Sequence, residues 1–316
     1  MSEPVMGSRP PECLGPHSSF LGLNLEGPRL DVARAVIVPV PYDGTTTFRS
    51  GTREGPRAIL SASRELEFFD EETLTEVHEN GIATLEELPV VISSPRDMVE
   101  RVRLVGDFLL ASNKLPVLLG GEHLISLGMI QAAARHFPDL TVLHLDAHSD
   151  LRREYQGSAF SNACVMRHVS EFASLVQVGV RSLSAEEREW IQHRNIPCYF
   201  AGELWRRPSL WEEIPSKLSS HVYLSIDLDV FDPSIMPSVG TPEPGGVGWY
   251  EVLSLLRCVI QQHRVVGFDV MELLPIPHLA APDFLAARLV HKILSYIFLD
   301  NPPKDLVSSQ GYDNIE

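Results

Sequence analysis

The sequence predicts an α/β fold with a mostly parallel central sheet, and three observations carry that prediction. Apolar, β-branched runs of strand length recur along the chain, and segments with helical periodicity separate them. No composition break or internal repeat divides the chain, which favours one domain of about 280 residues. Strands that alternate with amphipathic helices are typical of sheets covered by helices on both faces. The pattern alone does not distinguish a doubly wound sheet from a barrel.

The predicted strands are short and rich in Val, Ile and Leu, as expected for strands buried on both faces. They are AVIVPV at 35–40, LPVLLGG at 115–121, LTVLHLDAH at 140–148, LVQVGV at 175–180, HVYLSIDLDV at 221–230 and RVVGFDVMEL at 264–273. The helical segments repeat apolar residues every three or four positions. They lie at 95–113, 122–137, 184–195, 249–263 and 282–299.

Polar segments flank the predicted domain at both ends. Residues 1–20 and 301–316 read as polar tails, so we place the domain at 21–300. The first tail has no basic stretch followed by an apolar one and is therefore not a signal peptide. No apolar run approaches the roughly 18 residues that a membrane-spanning helix needs. The four cysteines are far apart and form no CxxC pair, which favours reduced thiols and a cytoplasmic location.

The charge balance excludes some partners. The 316 residues include 42 Asp and Glu against 26 Lys and Arg, for a formal net charge of -16. Broad binding to nucleic acids or anionic membranes needs clustered Lys and Arg to displace counterions. We therefore expect neither partner. The excess of acid does not by itself identify an acidic site, because most surface carboxylates are only solvated.

Candidate site residues follow three of the predicted strands, at the end where ligands bind in parallel sheets. They are His123 after the strand at 115–121, Asp146, His148 and Asp150 at the end of the strand at 140–148, and Asp227 and Asp229 at the end of the strand at 221–230. Residues two apart on a strand point to the same face, so each group can converge. A lone pair of such aspartates is usually a turn or a helix cap, and Asp232 before Pro233 is expected to be such a turn residue.

The joint arrangement favours a metal site. Four carboxylates in one cleft would repel one another and lose hydration unless cations neutralised them. Two imidazoles and four carboxylates match two divalent ions with mixed nitrogen and oxygen ligands. No thiolate belongs to the set, which argues against a structural zinc site and favours a harder metal such as Mn²⁺.

The motifs that contain these residues resemble those of the ureohydrolases, the arginase/agmatinase family. The motifs are GGEH at 120–123, DAHSD at 146–150, SIDLDVFDP at 225–233, GTPEPGG at 240–246 and DVMELLP at 269–275. An earlier stretch, VPYDGTTTFRSGTREGPRAI, ends at Ile59 and is more similar to the agmatinase branch than to the arginases. The resemblance runs in order over most of the chain.

The resemblance implies a single-domain, three-layer α/β/α fold around a parallel sheet. It also implies two Mn²⁺ ions per chain, held by the six residues named above, and hydrolysis of a guanidino compound to urea and an amine. The expected substrate is a small cationic compound, with agmatine, which gives putrescine, as the first choice. A homo-oligomer, a trimer or a hexamer, is expected from the family.

The resemblance and the chemistry give roles to three residues outside the ligand set and a second role to one of the ligands. Glu272 would hydrogen-bond the guanidinium and orient its carbon, and Thr241 would contact the substrate or the nucleophile. Asp150, a ligand close to the nucleophile, would carry a proton to the leaving amine. Asp269 is a candidate supporting residue behind the ligands.

One position departs from the family pattern. Asn162 stands where family members usually carry a histidine that acts in proton transfer or substrate contact. Asn can hydrogen-bond a substrate but cannot exchange a proton at neutral pH. His168 lies six residues later on a predicted helix at 161–172, so it would face elsewhere.

Several functions remain open at this point. Another guanidino-amine, or a guanidino-acid such as guanidinobutyrate, is an alternative substrate. A non-catalytic metal-binding relative is a second reading, which Asn162 keeps open. A deacylase with one zinc ion is a third, although it would leave His123 and Asp227 without a purpose.

Overall fold

The computed structural model describes residues 18–23 and 30–300. The two predicted tails lie almost entirely outside the described residues, and the domain limits at 21 and 300 stay a prediction. In the described part of the chain, no helix has the length and apolar character needed to cross a membrane.

The strands and helices alternate over most of the chain. The strands are β1 (Ala35–Val40), β2 (Phe69–Asp70), β3 (Thr75–Glu76), β4 (Ile82–Thr84), β5 (Leu115–Gly120), β6 (Leu140–Leu145), β7 (Ser174–Val180), β8 (Cys198–Phe200), β9 (His221–Asp227) and β10 (Arg264–Met271). The helices are α1 (Gly55–Ser63), α2 (Pro95–Ala111), α3 (Ser126–His136), α4 (Val165–Phe172), α5 (Ala185–Arg194), α6 (Ala201–Arg206), α7 (Leu210–Glu213), α8 (Trp249–Gln262) and α9 (Ala281–Asp300).

Eight strands form one sheet in the order β4-β1-β5-β10-β9-β6-β7-β8. Every pair of neighbours in it is parallel. The sheet has two edges, β4 and β8, so it is open and not a barrel. The strands β9 and β10 come late in the sequence but fill the centre between β5 and β6, which brings the carboxyl ends of four long strands together.

Each face of the sheet carries its own apolar core. One core contains side chains from α1, α6, α7, α8 and α9, and the other contains side chains from α2, α3, α4 and α5. Neighbouring residues of one strand divide between the two cores: Ile37 enters the first, and Val36 and Val38 enter the second. The predicted three-layer α/β/α fold is therefore confirmed.

The predicted strands match the observed ones in place but run too far at their carboxyl ends. The runs predicted at 140–148, 221–230 and 264–273 stop at Leu145, Asp227 and Met271. Beyond these points the polar side chains turn away from the ladder. The elements α1, β2, β3, β4, β8, α6 and α7 lie outside the predicted segments. The four strands among them have only two or three residues, and α6 and α7 have six and four, too few for a period to show.

Helices α2 and α3 pack closely because two glycines face the opposite helix. A methyl group at Gly106 would lie 2.7 Å from the Cβ of Ala132, and one at Gly128 would lie 2.3 Å from the carbonyl oxygen of Val99. The second clash involves backbone, which cannot rotate away. Helix α3 follows directly on the turn that carries His123, so this packing also holds one side of the candidate site.

We expect Gly128→Ala to destabilise the fold by about 1–3 kcal/mol, since overpacking outweighs the gain in helix propensity. Gly202→Ala is the matched control. Gly202 lies in α6, and the nearest atom to its added methyl is the flexible Arg206 guanidinium, 3.7 Å away. The control should be neutral or should stabilise by up to about 1 kcal/mol. Denaturant unfolding measures both, and equal effects of the two substitutions would contradict this account.

Candidate metal centre

The six predicted ligands lie together at the carboxyl end of the sheet. His123 begins a 3₁₀ turn, His123–Ile125, just after β5, and Asp146 directly follows β6. Asp227 is the last residue of β9. Four of the six side chains, those of His123, Asp146, Asp227 and Asp229, are almost fully buried.

We predicted that alternation along the strands would bring these side chains together. The turns that follow the strands do so instead. Asp146, His148 and Asp150 all lie beyond the end of β6, and Asp150 has a left-handed φ of 52°. Asp229 belongs to a 3₁₀ turn, Leu228–Val230, and its backbone N–H donates to the side chain of Asp227. Of the six predicted ligands, only Asp227 lies on a strand, because β5 and β6 end before theirs and β9 ends before Asp229.

One half of the cluster is centred on His123. Its Nδ1 atom lies 3.1 Å from Asp146 Oδ2, 3.5 Å from Asp150 Oδ2 and 3.3 Å from Asp227 Oδ2. This Nδ1 is buried and has no hydrogen-bond partner. A buried nitrogen lone pair that faces three carboxylate oxygens is the arrangement that a divalent cation would satisfy.

The other half of the cluster is centred on His148. Its Nδ1 atom lies 2.9 Å from Asp229 Oδ2 and 3.5 Å from Asp146 Oδ1. Asp146 thus belongs to both halves, with one oxygen toward each histidine. Two possible metal-binding groups that share Asp146 fit a pair of ions better than a single one.

A hydrogen-bond relay behind His123 fixes its tautomer. The Nε2 atom of His123 lies 2.9 Å from Ser225 Oγ, and this hydroxyl donates to Asp269 Oδ1 at 3.0 Å. Since the Ser225 proton is used on Asp269, His123 must donate from Nε2. In the neutral imidazole, Nδ1 is then the atom without a proton, as a metal ligand requires. Asp269 occupies the supporting position expected for it.

His144 was not predicted as a site residue, although it lies in the same buried cluster. Its Nε2 atom is 2.9 Å from Asp146 Oδ2, and the Gln177 amide lies 3.0 Å from its Nδ1. The same Gln177 nitrogen donates to the carbonyl oxygen of Ser149 at 2.7 Å, which identifies it as the amide NH₂. His144 must therefore donate to Asp146, so it orients that carboxylate and is not itself a ligand. The alternation of His144 with Asp146 and His148 was the signal that could have found it.

The charges of the cluster are unbalanced without cations. Burial, and then the charge of Asp146, raise the pKa of Asp150 well above its usual range. Burial and the neighbouring Asp229 do the same to the pKa of Asp227. Burial opposes the charge of His148, but Asp229 and Asp146 outweigh it and raise the pKa of His148 to about 12. The group therefore retains protons that divalent cations would displace on binding.

Glu272 closes β10 on the same side as the ligands. It has a left-handed φ of 65°, and its backbone N–H donates to the carbonyl oxygen of Gly121 at 2.9 Å. Its Oε1 atom accepts the backbone N–H of His123 at 2.7 Å. Burial and the charges of Asp227 and Glu122 raise the pKa of Glu272 well above its usual range. A cation beside Glu272 would stabilise its charged form and lower this pKa again.

Glu122, next to His123, is fully buried and ties a surface loop to the site. Its carboxylate accepts both the backbone N–H and the hydroxyl of Thr45. The hydroxyl of Thr45 also accepts the backbone N–H of Asn162 at 3.1 Å. The sequence gives no signal for this role of Glu122, because its partner Thr45 lies 77 residues away along the chain.

The side chain of Asn162 faces this loop and its own turn. Its Oδ1 accepts the backbone N–H of Ala163 at 2.9 Å and the Thr47 hydroxyl at 3.2 Å. His168 does not replace it, since its Nε2 donates to the carbonyl oxygen of Ala159 and its ring stacks on Phe160. The predicted helix at 161–172 begins as a 3₁₀ turn, Asn162–Cys164, and continues as α4.

Thr241 lies half-buried in the segment 240–246, which approaches Glu272. A methyl group at the adjacent Gly240 would lie 3.8 Å from Glu272 Oε2. Asp232 is the turn residue expected, because its carboxylate accepts the backbone N–H groups of Ser234, Gly245 and Gly246.

Both the sequence and the structure of this chain are similar to those of known proteins. Residues 33–295 match the Arginase family. The N(1)-aminopropylagmatine ureohydrolase of Synechocystis sp. is 39% identical over 280 residues, which cover 84% of this chain and 89% of that protein. The agmatinase of Pyrococcus horikoshii is 35% identical over 260 residues, 80% of this chain and 89% of that protein.

Solved structures with the same fold include two amidino hydrolases. The agmatine ureohydrolase of Thermoplasma volcanium superimposes with a TM-score of 0.79 at 29% identity, over 85% of this chain and 91% of that one. The proclavaminate amidino hydrolase from Streptomyces clavuligerus gives a TM-score of 0.80 at 27% identity, over 93% of this chain and 98% of that one.

We expect Ser225→Ala to weaken Mn²⁺ binding about 10–100-fold, because His123 would lose the relay that fixes its tautomer. Calorimetric titration of the metal-free protein measures the affinity. Ser254→Ala, on the exposed face of α8, is the matched control and should bind as the parent does. An unchanged affinity in the Ser225 variant would show that the relay does not support the site.

Proposed function

The chain belongs to the arginase family, and on that basis we propose that it uses two Mn²⁺ ions to hydrolyse agmatine to putrescine and urea. The resemblance predicted from the motifs is confirmed, and the chain is an agmatinase-like ureohydrolase, a hydrolase of C–N bonds in linear amidines. The metal, the number of ions and the substrate are the proposed part.

One observation carries the proposal, namely the convergence of the six predicted ligands beside a buried Glu272. The unpartnered Nδ1 of His123 and the shared Asp146 support two ions. One ion would be held by His123, Asp146, Asp150 and Asp227, and the other by Asp146, His148 and Asp229. The oxygen-rich donor set without thiolates supports Mn²⁺. Such ions, when bound, make a water available as a nucleophile at neutral pH.

The residues of the chain account for substrate orientation. Glu272 is fixed on one oxygen by the N–H of His123, which leaves its other oxygen for the guanidinium N–H groups. Glu272 and Glu122 are both buried, and no Lys or Arg nitrogen of the described residues lies within 4.0 Å of either carboxylate. A cationic group is therefore favoured over a neutral amide.

Asp150 is proposed to move the proton. A carboxylate beside the nucleophile can take up a proton and pass it to the leaving group. The left-handed backbone of Asp150 turns its carboxylate toward His123 and the centre of the cluster. From there it would protonate the leaving nitrogen.

The names of the relatives support two substrates. Agmatine is supported by the agmatinase of P. horikoshii, and N(1)-aminopropylagmatine by the relatives in Synechocystis and in Thermus thermophilus, which are 39% identical. Both belong in the test, together with guanidinobutyrate as an acidic alternative. Cys164, Cys198 and Cys258 are free thiols, which supports the proposed cytoplasmic location. Homo-oligomerisation stays a prediction for measurement in solution.

The first test is urea release from these compounds by the Mn²⁺-loaded protein and by Asp150→Asn. We expect turnover of a cationic guanidino compound, and a loss of kcat of about 10²–10⁴-fold in the variant, because proton transfer is removed. Asp139→Asn is the matched control, since Asp139 lies on the surface and pairs with His221.

Metal content and thermal unfolding accompany these assays. A variant with normal metal content and near-normal kcat would remove Asp150 from the mechanism. A parent protein that binds two Mn²⁺ but releases no urea from any compound would favour a non-catalytic relative. One ion per chain would favour the deacylase chemistry.

The second test is Asn162→His. We expect a change of less than about tenfold in kcat, because Asn162 contacts Thr47 and its own turn, and general acid–base catalysis by a new group needs hydrogen-bond reach of the substrate. Thr47→Val is the control that removes the same contact without adding a titratable group. A hundredfold gain in kcat would instead show that position 162 limits proton transfer in this chain.

A further inference from the structure

The segment 240–246 at the edge of the site is fastened by one arginine. The guanidinium of Arg181 donates to the carbonyl oxygens of Asp229 at 2.6 Å and of Glu243 at 2.8 Å, both through Nη2. Its Nε also lies 3.2 Å from the carbonyl oxygen of Pro244. Arg181 thus joins the backbone of a predicted metal ligand directly to this segment.

Asp232 fastens the segment from the other side. Its Oδ2 atom accepts the N–H groups of Gly245 at 3.0 Å and Gly246 at 3.1 Å. A methyl group at Gly246 would lie 2.4 Å from the backbone nitrogen of Asp232, so the two segments touch through backbone. Arg181 and Asp232 therefore hold the backbone at Glu243 and over the three residues that follow it.

The side chain of Glu243 remains available within this fixed segment. Its Oε1 atom lies 3.9 Å from Nε2 of His148, beyond hydrogen-bond distance, and its side chain is 39% exposed. Among the described residues, no Lys or Arg nitrogen lies within 4.0 Å of its carboxylate. The Nδ1 atom of His148 faces Asp229, and its Nε2 atom faces Glu243. The imidazole ring of His148 therefore lies between the carboxylate cluster and Glu243.

We propose that Glu243 binds a second positive charge of the substrate and thereby selects guanidino-amines over guanidino-acids. This inference rests on the proposed function and deepens it. Glu272 would hold the guanidinium inside the cleft, and Glu243 would hold the ammonium at the other end of a flexible aliphatic chain. A carboxylate at that end would be repelled by Glu243. Because Arg181 holds the backbone of Glu243, the segment that carries this carboxylate is in place before the substrate binds.

Glu243→Gln tests the proposal, because it keeps the shape of the side chain and removes its charge. We expect KM for agmatine to rise about tenfold, the lower end for a charged hydrogen bond since Glu243 is partly exposed. The kcat and the Mn²⁺ content should stay within about twofold, and KM for guanidinobutyrate should not rise. Glu243→Lys should shift the preference further toward guanidinobutyrate.

Two glutamates serve as comparisons. Glu251→Gln, on the exposed face of α8, should leave both KM values unchanged. Glu154 is an exposed acidic residue on the segment that follows Asp150. If Glu154→Gln raises KM for agmatine and Glu243→Gln does not, the proposal is overturned. A loss of Mn²⁺ from the Glu243→Gln protein would also overturn it, since Glu243 would then serve to orient His148.

A binding assay separates failure of this inference from failure of the proposed function. Butane-1,4-diamine carries two cations and cannot be hydrolysed, and butylamine carries one. In the Mn²⁺-loaded protein, Glu243→Gln should weaken binding of the diamine about tenfold and leave butylamine unaffected. This result supports the inference even if no compound in the panel releases urea. Equal effects on the two amines would overturn it even in an active enzyme.

Discussion

The repulsion among buried carboxylates at the carboxyl end of the sheet is the constraint on which the rest of this structure depends. Asp146, Asp150, Asp227 and Asp229 lie within one cluster, and burial raises the pKa of three of them. Burial also acts to raise the pKa of Asp146, but the three histidines around it outweigh burial and hold this pKa well below the usual range. Such a group is stable in a folded protein only with cations or bound protons.

The surrounding residues hold the cluster in a form that cations can complete. Ser225 and Asp269 fix the tautomer of His123, while Gln177 fixes that of His144. These contacts come from β7, β9 and β10, the strands adjacent to the ligand-bearing ends. The order of the strands therefore brings the predicted ligands together and also places the residues that hydrogen-bond them.

The outer part of the site is built from surface segments that are tied to the ligand turns. Glu122 holds Thr45, and Thr45 holds the turn that begins at Asn162. Arg181 joins the backbone of Asp229 to that of Glu243. Because each of these links ends at or next to a predicted metal ligand, changes in these surface segments are expected to affect the candidate metal centre.

The sequence by itself determined the fold class and the six long strands, and it predicted the six residues of the cluster, because apolar runs and their polar ends are local signals. The tertiary structure decided how those ligands converge, since Asp150 and Glu272 need left-handed backbones that strand alternation does not predict. It also decided the roles of His144, Glu122 and Arg181. Their partners lie 33 to 77 residues away along the chain, and only the folding of the sheet brings these groups within hydrogen-bond distance.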